Sequence, residues 1–368
     1  MRIVIDGRFW GPGHTGLGVY TKKLVSSLVK LDTENEYIIL VRKEFTDHNL
    51  LAHNFRTQVV DIKPYSLSEQ VKLLSILLQL NPDLVHFPSI NVPILYPKKF
   101  VVTIHDLIKH HSKGVATSTL NPFIYWLKYY IYQLVVLIVC LRSNAIITPS
   151  KAVANDVKKS YPFTSNKITT TYEANVLNNK TVEEDINFDL PLKYALYAGN
   201  AYPHKNLGRL IEAWEKVYDK TKVSLVIACA RNTFVDRIVS LINDKGANKK
   251  VFFVGYPTDG QLVKIHKKSL GYVAPSLMEG FGIPPLDAMY FGIPVICSNI
   301  LVFKEVYGDA ALFFDPTNVE DMSKKIIEGL TSKKMRKTLI ENGLKKVGQY
   351  SWEKLAEETL SVYKQTLS

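Results

Sequence analysis

The chain has 368 residues, which is long for one hydrophobic core and comfortable for two domains, and 46% of its residues are hydrophobic. Its three widely spaced cysteines, Cys140, Cys229 and Cys297, argue against a disulfide framework or a cysteine-based metal site, and favour a reducing cytoplasm. The net charge of +12 predicts an anionic partner, but the basic residues are dispersed and no zinc-finger spacing occurs, so nucleic acid is the least favoured candidate.

Short β-branched runs alternate with helical periodicity along both halves of the chain. In the first half the predicted strands are Arg2–Ile5, Tyr37–Val41, Leu84–Phe87, Phe100–Ile104 and Ala145–Thr148. In the second half they are Tyr194–Ala198, Val223–Ala228, Lys250–Val254, Gly271–Ala274 and Pro294–Cys297. This alternation predicts an α/β fold of parallel sheets covered on both faces. Ligands are then expected beyond the carboxyl ends of the strands, with a substrate cleft between two domains.

The ends and the middle of the chain also carry local signals. The N-terminal segment meets a charge at Asp6 after three apolar residues, so we expect a first strand and not a signal peptide. The polar, aperiodic stretch Asn175–Asp189 is the predicted linker. The last helix is predicted at Trp352–Leu367, with the preceding Gly348–Ser351 supplying its cap.

A glycine-rich loop, Gly11–Thr21, follows the first predicted strand. Gly11, Gly13 and Gly16 have the spacing of a dinucleotide fingerprint, but the predicted strand ends at Ile5, too early for that motif. The loop also lacks the Gly-Lys-Ser/Thr ending of a P-loop. A flexible strand–helix turn is the plain structural interpretation.

A histidine and an acid, His105 and Asp106, stand at the end of the fourth predicted strand. A lone histidine is more often structural, and we interpret His86, His110 and His111 in that way. His105 differs because it lies at the carboxyl end of a strand, where α/β proteins form their sites.

The segment Phe123–Leu141 is the most apolar in the chain and is broken only by Lys128 and Gln133. Its length approaches that of a membrane span, but a span would place the flanking domain halves on opposite sides of a bilayer. We therefore expect a buried or domain-packing helix, with an aromatic face that touches lipid as the alternative.

The loop Ala198–Asn206 follows a predicted strand and opens a helix whose apolar residues keep helical spacing over Leu207–Val217. Lys205 in this loop can place its ammonium group on a diphosphate seated at helix termini. The alternative is an ordinary exposed lysine in a turn.

The run from Pro275 to Met289 is the most informative in the chain. It places Glu279 in a loop relaxed by Gly280 and Gly282, then two prolines where a helix begins, then Asp287 eight residues after Glu279. Backbone N–H groups of a helix start can seat a phosphate, and the two carboxylates can accept hydrogen bonds from sugar hydroxyls. A capped helix with Asp287 complementing its dipole would explain only part of this string.

This run resembles the Glu-x7-Glu signature of the retaining glycosyltransferases of family four, which have the GT-B fold; Asp287 departs from it by one methylene. The resemblance extends from the first glycine loop to Ser351-Trp352-Glu353. It implies two Rossmann-like β/α/β domains facing each other across a cleft. The implied domains are an acceptor-binding domain at 1–175, a nucleotide-sugar-binding domain at 176–350, and a terminal helix at 351–368 that crosses back to the first.

The resemblance also assigns roles to residues. The catalytic group is His105, Lys205 and Glu279. The donor-binding group is Gly16, Gly18, Asn200, Lys205, Gly255, Tyr256, Glu279, Gly280, Phe281, Gly282, Ile283 and Asp287. Many members carry an arginine in the loop that holds Asn200 and His204 here, so part of the diphosphate charge is unassigned, and Arg209 or Arg231 is a candidate to neutralise it.

The implied activity is retaining, metal-independent transfer of a hexose from a nucleotide-diphosphate sugar, leaning to GDP-mannose. No Asp-x-Asp run occurs, so neither a metal nor another cofactor is expected. The implied acceptor is a glycan or lipid-linked saccharide of surface polysaccharide synthesis, handled in the cytoplasm or peripherally at the inner face of the membrane. Two alternatives stay open: a sugar-nucleotide epimerase of the same architecture, and a catalytically silent sugar-nucleotide-binding scaffold.

Overall fold

The computed structural model describes residues 1–11, 15–43, 52–66, 68–114, 121–230, 233–244 and 250–368. Within these residues the chain forms two compact units. Of these residues, the first unit comprises those in 1–110, 121–173 and 351–368, and the second comprises those in 111–114 and 174–350.

The first unit is built on a parallel sheet of seven strands. In chain order they are β1 (Arg2–Asp6), β2 (Glu36–Val41), β3 (Phe55–Val59), β4 (Leu84–Phe87), β5 (Phe100–Thr103), β6 (Ala145–Thr148) and β7 (Ile168–Thr170). Their order in the sheet is β3-β2-β1-β4-β5-β6-β7. The accompanying helices are α1 (Thr15–Leu31), α2 (Leu74–Leu80), α3 (Ile108–His111), α4 (Pro122–Arg142), α5 (Lys151–Ser160) and the terminal α13 (Trp352–Leu367).

The second unit is built on a parallel sheet of six strands. They are β8 (Tyr194–Ala198), β9 (Ser224–Ala228), β10 (Val251–Phe253), β11 (Tyr272–Ala274), β12 (Val295–Ser298) and β13 (Ala311–Phe314), in the sheet order β10-β9-β8-β11-β12-β13. Its helices are α6 (Leu207–Thr221), α7 (Thr233–Asp244), α8 (Asp259–Lys268), α9 (Ile283–Tyr290), α10 (Leu301–Tyr307), α11 (Val319–Thr331) and α12 (Lys333–Val347).

Each sheet reverses its strand order once, because the chain first builds outward in one direction and then returns to the other side of the starting strand. In the first unit the reversal lies between β1 and β4, and in the second between β8 and β11. Loops that leave the carboxyl ends of two such strands diverge to opposite faces of the sheet, which opens a crevice. The α/β fold expected from the alternation is confirmed, and the fold itself predicts where ligands bind.

All ten predicted strands are present, with bounds within one or two residues of the expected ones. The three strands that the pattern missed, β3, β7 and β13, all lie at sheet edges. An edge strand is buried on fewer sides, so polar residues interrupt its apolar run, as Arg56 and Gln58 do in β3. The aperiodic stretch Asn175–Asp189 contains no helix or strand.

The terminal helix α13 begins where its cap was predicted. The Ser351 hydroxyl accepts a hydrogen bond from the backbone N–H of Lys354 (3.0 Å). The helix packs on α1, where the rings of Trp352 and Tyr20 meet edge to face. Its Tyr363 hydroxyl lies 2.6 Å from Nδ1 of His86 on β4, so the last helix is part of the first unit's core.

The most apolar segment forms α4, but its interpretation as a buried helix is wrong. Only Val136, Val139 and Cys140 are buried on it, and most of its remaining apolar side chains face outward. Among the described residues it is the one helix long and apolar enough to cross a bilayer. Helical periodicity alone could not tell which surface would cover it.

One buried titratable group has an unusual setting. His266 of α8 is fully buried between the rings of Tyr272 and Phe291, and neither of its ring nitrogens has a hydrogen-bond partner among the described residues. Burial lowers the pKa of His266 to about 3. The imidazole is therefore neutral in the folded protein, whereas the unfolded chain binds a proton below about pH 6.5.

We expect His266→Phe to flatten the acid dependence of stability. With the folded pKa below the unfolded one, His266 makes the free energy of unfolding fall as the pH drops from about 6.5 toward 3. The phenyl ring takes up no proton on unfolding, so the change of the unfolding free energy with pH becomes smaller by up to about 1.4 kcal/mol per pH unit. Urea unfolding at pH 7, 6 and 5 measures this pH dependence of the unfolding free energy. The exposed His53→Gln is the control, and equal slopes for His266→Phe and the parent would contradict the assignment.

Candidate functional site

Two loops flank the reversal point of the second sheet. One joins β8 to α6 through a single 3₁₀ turn at Pro203–Lys205, and the other leads from β11 into α9. The two loops are held together directly: the backbone N–H of Leu277 donates to the His204 carbonyl (2.7 Å). The buried Asn206 side chain also donates to the carbonyls of Pro275 (3.1 Å) and Pro316 (2.8 Å).

The centre of this arrangement is an ion pair between Lys205 and Glu279. Nζ of Lys205 lies 2.6 Å from Oε1 of Glu279, and the Ser276 hydroxyl donates to the same oxygen (2.7 Å). Both charged side chains are about 15% exposed, so they are half-buried and still accessible. No hydrogen bond from a described residue reaches Oε2 of Glu279. The pair thus offers one carboxylate oxygen and one ammonium group to a bound ligand.

Helix α9 starts directly after this pair, at the position that the two prolines indicated. Gly282 is its N-cap residue at φ +96°, a conformation that side-chain-bearing residues rarely adopt. The buried Tyr307 hydroxyl donates to the Gly282 carbonyl (2.5 Å), and Phe281 is buried with its ring edge to face with Tyr350. The helix start is therefore held in place, with the positive end of its dipole next to Glu279.

Asp287, the departure from the family signature, is engaged with the protein itself. It is 5% exposed, and its Oδ1 accepts hydrogen bonds from the backbone N–H groups of Val176 (2.7 Å) and Leu177 (2.8 Å). The carboxylate thus fastens the segment that enters the second unit onto α9. The expected ribose contact stays a prediction.

The other predicted donor residues lie further from the ion pair. Gly255 and Tyr256 follow β10, two strands away from β8, and the Tyr256 side chain is 62% exposed. No hydrogen bond between described residues joins them to the pair. Asn200 lies in the β8–α6 loop, where its side-chain oxygen accepts from the N–H of Tyr202 (3.3 Å) and its carbonyl accepts from the Tyr197 hydroxyl (2.5 Å).

Of the two arginines considered as partners of the diphosphate, only Arg209 lies within the described residues. Arg209 donates to the side-chain oxygen of Asn206 (3.0 Å), so part of its guanidinium is engaged in holding the loop junction. Arg231 lies outside the described residues. Asn206 itself was missed by the sequence reasoning, because its two carbonyl partners are distant in the chain.

In the first unit, His105 is held on both ring nitrogens. Its Nε2 donates to the Pro88 carbonyl (3.0 Å), its Nδ1 lies 3.2 Å from Oε1 of the buried Glu173, and the ring of Tyr20 packs edge to face on it at 4.6 Å. A carbonyl only accepts, so Nε2 carries a proton. The sequence reasoning missed Glu173, which is 68 positions from the histidine. The ring orientation is set by three separate elements.

The remaining histidines of this region with described partners behave as the structural interpretation expected. His86 is fully buried between Tyr363 and Thr103, and burial lowers its pKa to about 3. His110 lies between the hydroxyls of Tyr132 (3.0 Å) and Tyr161 (2.8 Å). His86 is thus a hydrogen-bonded core group, and His110 is a partly buried one that joins two tyrosine hydroxyls.

The predicted glycines of the first unit lie in the first turn of α1. A Cβ at Gly18 would come within 2.8 Å of the Phe9 carbonyl oxygen and 3.0 Å of that of Gly11, so only glycine permits this close approach. A Cβ at Gly16 would meet nothing within 4 Å. Gly13 lies outside the described residues. The fingerprint interpretation stays unsupported, since β1 ends at Asp6, well before Gly11.

A buried ion cluster holds the loop that leaves β1. Nη2 of Arg8 donates to Oδ2 of Asp6 (2.7 Å) and to Oε1 of Glu69 (2.6 Å), and all three side chains are almost completely buried. Burial raises the pKa of Glu69 although Arg8 opposes the shift. Among the described residues, no three His, Cys, Asp or Glu side chains form a group that could hold a metal ion.

Comparison with known proteins gives matches in both halves. The family described as "Glycosyltransferase Family 4" matches residues 14–174, and "Glycosyl transferases group 1" matches residues 178–346. The O-antigen chain mannosyltransferase B of Escherichia coli is 34% identical over 173 residues, 46% of this chain and 45% of that protein. The O-antigen chain mannosyltransferase RfbU of Salmonella typhimurium is 28% identical over 236 residues, 62% of this chain and 64% of that protein.

The chain thus spans less than two thirds of the length of these two curated relatives. Among solved structures, the sucrose-phosphate synthase of Thermosynechococcus elongatus superposes with a TM-score of 0.80 at 16% identity, over 99% of this chain and 98% of that one. At that identity the likeness shows the fold, which is of the GT-B type.

We expect Gly282→Ala to destabilise the second unit strongly. A Cβ there would clash with the Tyr307 hydroxyl and lie 2.7 Å from a Phe303 ring carbon, at a φ that alanine adopts only under strain. Gly292→Ala is the matched control, because Gly292 also has a positive φ but its added Cβ has only an ordinary contact at 3.7 Å. Thermal unfolding compares the two, and equal losses would show that the packing around Gly282 is not the cause.

Proposed function

We propose that this chain, whose two halves match the models of glycosyltransferase family 4 and of glycosyl transferases group 1, transfers a hexose from a nucleotide-diphosphate sugar to a saccharide acceptor with retention of configuration. The observation that carries this proposal is the Lys205–Glu279 pair at the reversal point of the second sheet, beside the start of α9.

The two charged side chains of the pair bind different parts of the donor. The Lys205 ammonium group and the positive end of α9 stabilise the negative charge that develops on the diphosphate as it leaves, usually the largest catalytic contribution. Glu279 holds sugar hydroxyls through the oxygen that Lys205 and Ser276 leave open, while the Gly280–Gly282 segment lets the sugar approach the backbone. Asn200, Gly255, Tyr256 and Ile283 complete the proposed donor site.

Retention follows if the acceptor attacks from the face that the diphosphate leaves. The bond between the anomeric carbon and the diphosphate oxygen breaks, the acceptor oxygen bonds to that carbon, and its proton passes to a phosphate oxygen. No protein nucleophile is required. By resemblance we assign His105 a place near the reacting carbon, and hydrogen bonds to both of its ring nitrogens fix the orientation of the imidazole.

The relatives support a narrower proposal for the substrates. Two of them are named as mannosyltransferases of O-antigen chains, which favours GDP-mannose as the donor and a glycan or lipid-linked saccharide as the acceptor. The reaction would then take place on the cytoplasmic side of the membrane. We propose that it is metal-independent, because a lysine and a helix start supply the positive charge and the sequence has no Asp-x-Asp run.

Thermal unfolding against GDP, UDP, ADP and their common sugar conjugates, each with and without magnesium, tests this proposal. One nucleotide is expected to raise stability selectively and without magnesium, by about 2.7 kcal/mol at a hundredfold excess over its Kd. No response to any nucleotide would overturn the donor site. Donor binding without transfer or hydrolysis would indicate the silent scaffold, and donor conversion without an acceptor would indicate the epimerase.

Lys205→Ala should lower kcat by about two to three orders of magnitude, because it removes a charge partner of the developing diphosphate anion. Lys216→Ala is the matched control, since Lys216 pairs with Glu320 on the exposed surface of the same unit. Initial rates at saturating donor give the comparison. Unchanged turnover in Lys205→Ala would remove this residue from the mechanism.

A further inference from the structure

Helix α4 carries an apolar stripe that the proposed chemistry does not use. Seven of its side chains recur at the spacing of one helix face and are each 44–78% exposed. These residues, here called the α4 stripe, are Phe123, Ile124, Leu127, Tyr130, Ile131, Leu134 and Leu141. The stripe covers about 27 Å of helix length at 1.5 Å per residue and contains no charged side chain.

The opposite face of α4 attaches it to the first unit. Val136, Val139 and Cys140 are buried there, and Tyr132 reaches His110. A helix that is apolar on all sides is normally enclosed by protein or lipid, and α4 is enclosed on one side only. It does not cross a bilayer, because β5 and β6 on either side of it are hydrogen-bonded neighbours in one sheet.

The sequence around the stripe is strongly basic. Residues 98–167 contain ten lysines and arginines and two aspartates, a net charge of +8 within the chain's total of +12. Lys128 lies on α4, and Lys151, Lys158 and Lys159 lie on α5. The turn Pro162–Thr164 packs against both helices and exposes the ring of Phe163. Apolar and cationic groups thus share this part of the first unit.

We propose that the α4 stripe lies on the surface of an anionic lipid bilayer, parallel to its plane, with the surrounding lysines on the acidic head groups. An interfacial helix combines a buried apolar face with flanking basic residues in this way. Trp126 and Tyr130 are half-exposed on the helix, and such rings prefer the boundary between head groups and hydrocarbon.

The positive charge near the α4 stripe favours an anionic bilayer over a second copy of the chain as the partner that covers the stripe. Two copies that met through their α4 stripes would bring like charges together, because each copy carries Lys128 on α4 and three lysines on the neighbouring helix α5. An anionic bilayer satisfies the apolar stripe and the cations at the same time, and it attracts the cations over a Debye length. The inference stands apart from the donor chemistry, because it requires no bound nucleotide.

Co-sedimentation of the full chain with vesicles tests the inference. We expect binding to mixed phosphatidylcholine and phosphatidylglycerol vesicles, weaker binding to phosphatidylcholine alone, and loss of binding as salt is raised. Leu127→Glu combined with Leu134→Glu should reduce the affinity by at least about tenfold. The matched control is Leu301→Glu with Leu344→Glu, which places the same charges at exposed leucines of the second unit.

A second measurement does not depend on whether the glutamate variants fold. Brominated lipids should quench tryptophan fluorescence of the parent protein, and Trp126→Phe should remove most of that quenching. Absence of parent binding to either vesicle, equal binding of both double variants, or quenching that survives Trp126→Phe would each overturn the proposal. A dimer in light scattering that only the α4 double variant loses would assign the stripe to a second copy instead.

Discussion

A reversal of strand order is the constraint on which the second unit's candidate site depends. Because β8 and β11 are neighbours in the sheet while the chain leaves them toward opposite sides, their loops must separate above the strand ends. The protein bridges that gap with the Asn206 amide and with the Leu277–His204 backbone bond. Lys205 and Glu279, 74 positions apart in sequence, come within hydrogen-bonding distance as a result.

The ion pair also explains how two charged side chains can lie side by side with little exposure to water. A half-buried lysine beside a half-buried glutamate compensates the loss of hydration that either would suffer alone. The proposed nucleotide-sugar donor carries both an anionic and a hydroxylated part, which match the ammonium group and the carboxylate of the pair. Hydrogen bonds from Tyr307 to Gly282 and from Val176 to Asp287 hold the start of α9 in place beside this pair.

Sequence reasoning located the two loops because their chemistry is local: glycines, prolines and charged residues follow predicted strands. It could not find Glu173 beside His105, or Val176 above Asp287, because these contacts join residues that only the folded sheet brings together. The edge strand β3 was missed since Arg56 and Gln58 interrupt its apolar pattern. The burial of α4 was misjudged because periodicity reports an apolar helix and not what covers it.

The contact between Tyr363 and His86 has a consequence for biosynthesis. A ribosome releases the N-terminal strands long before it reaches α13, and domains made first usually fold first. Here the core of the first unit lacks its last helix until the entire second unit has been translated. The nascent first unit therefore waits with the surface beside α1 and β4 uncovered, and a chain that stops just before residue 352 leaves the first unit incomplete although the second is fully translated.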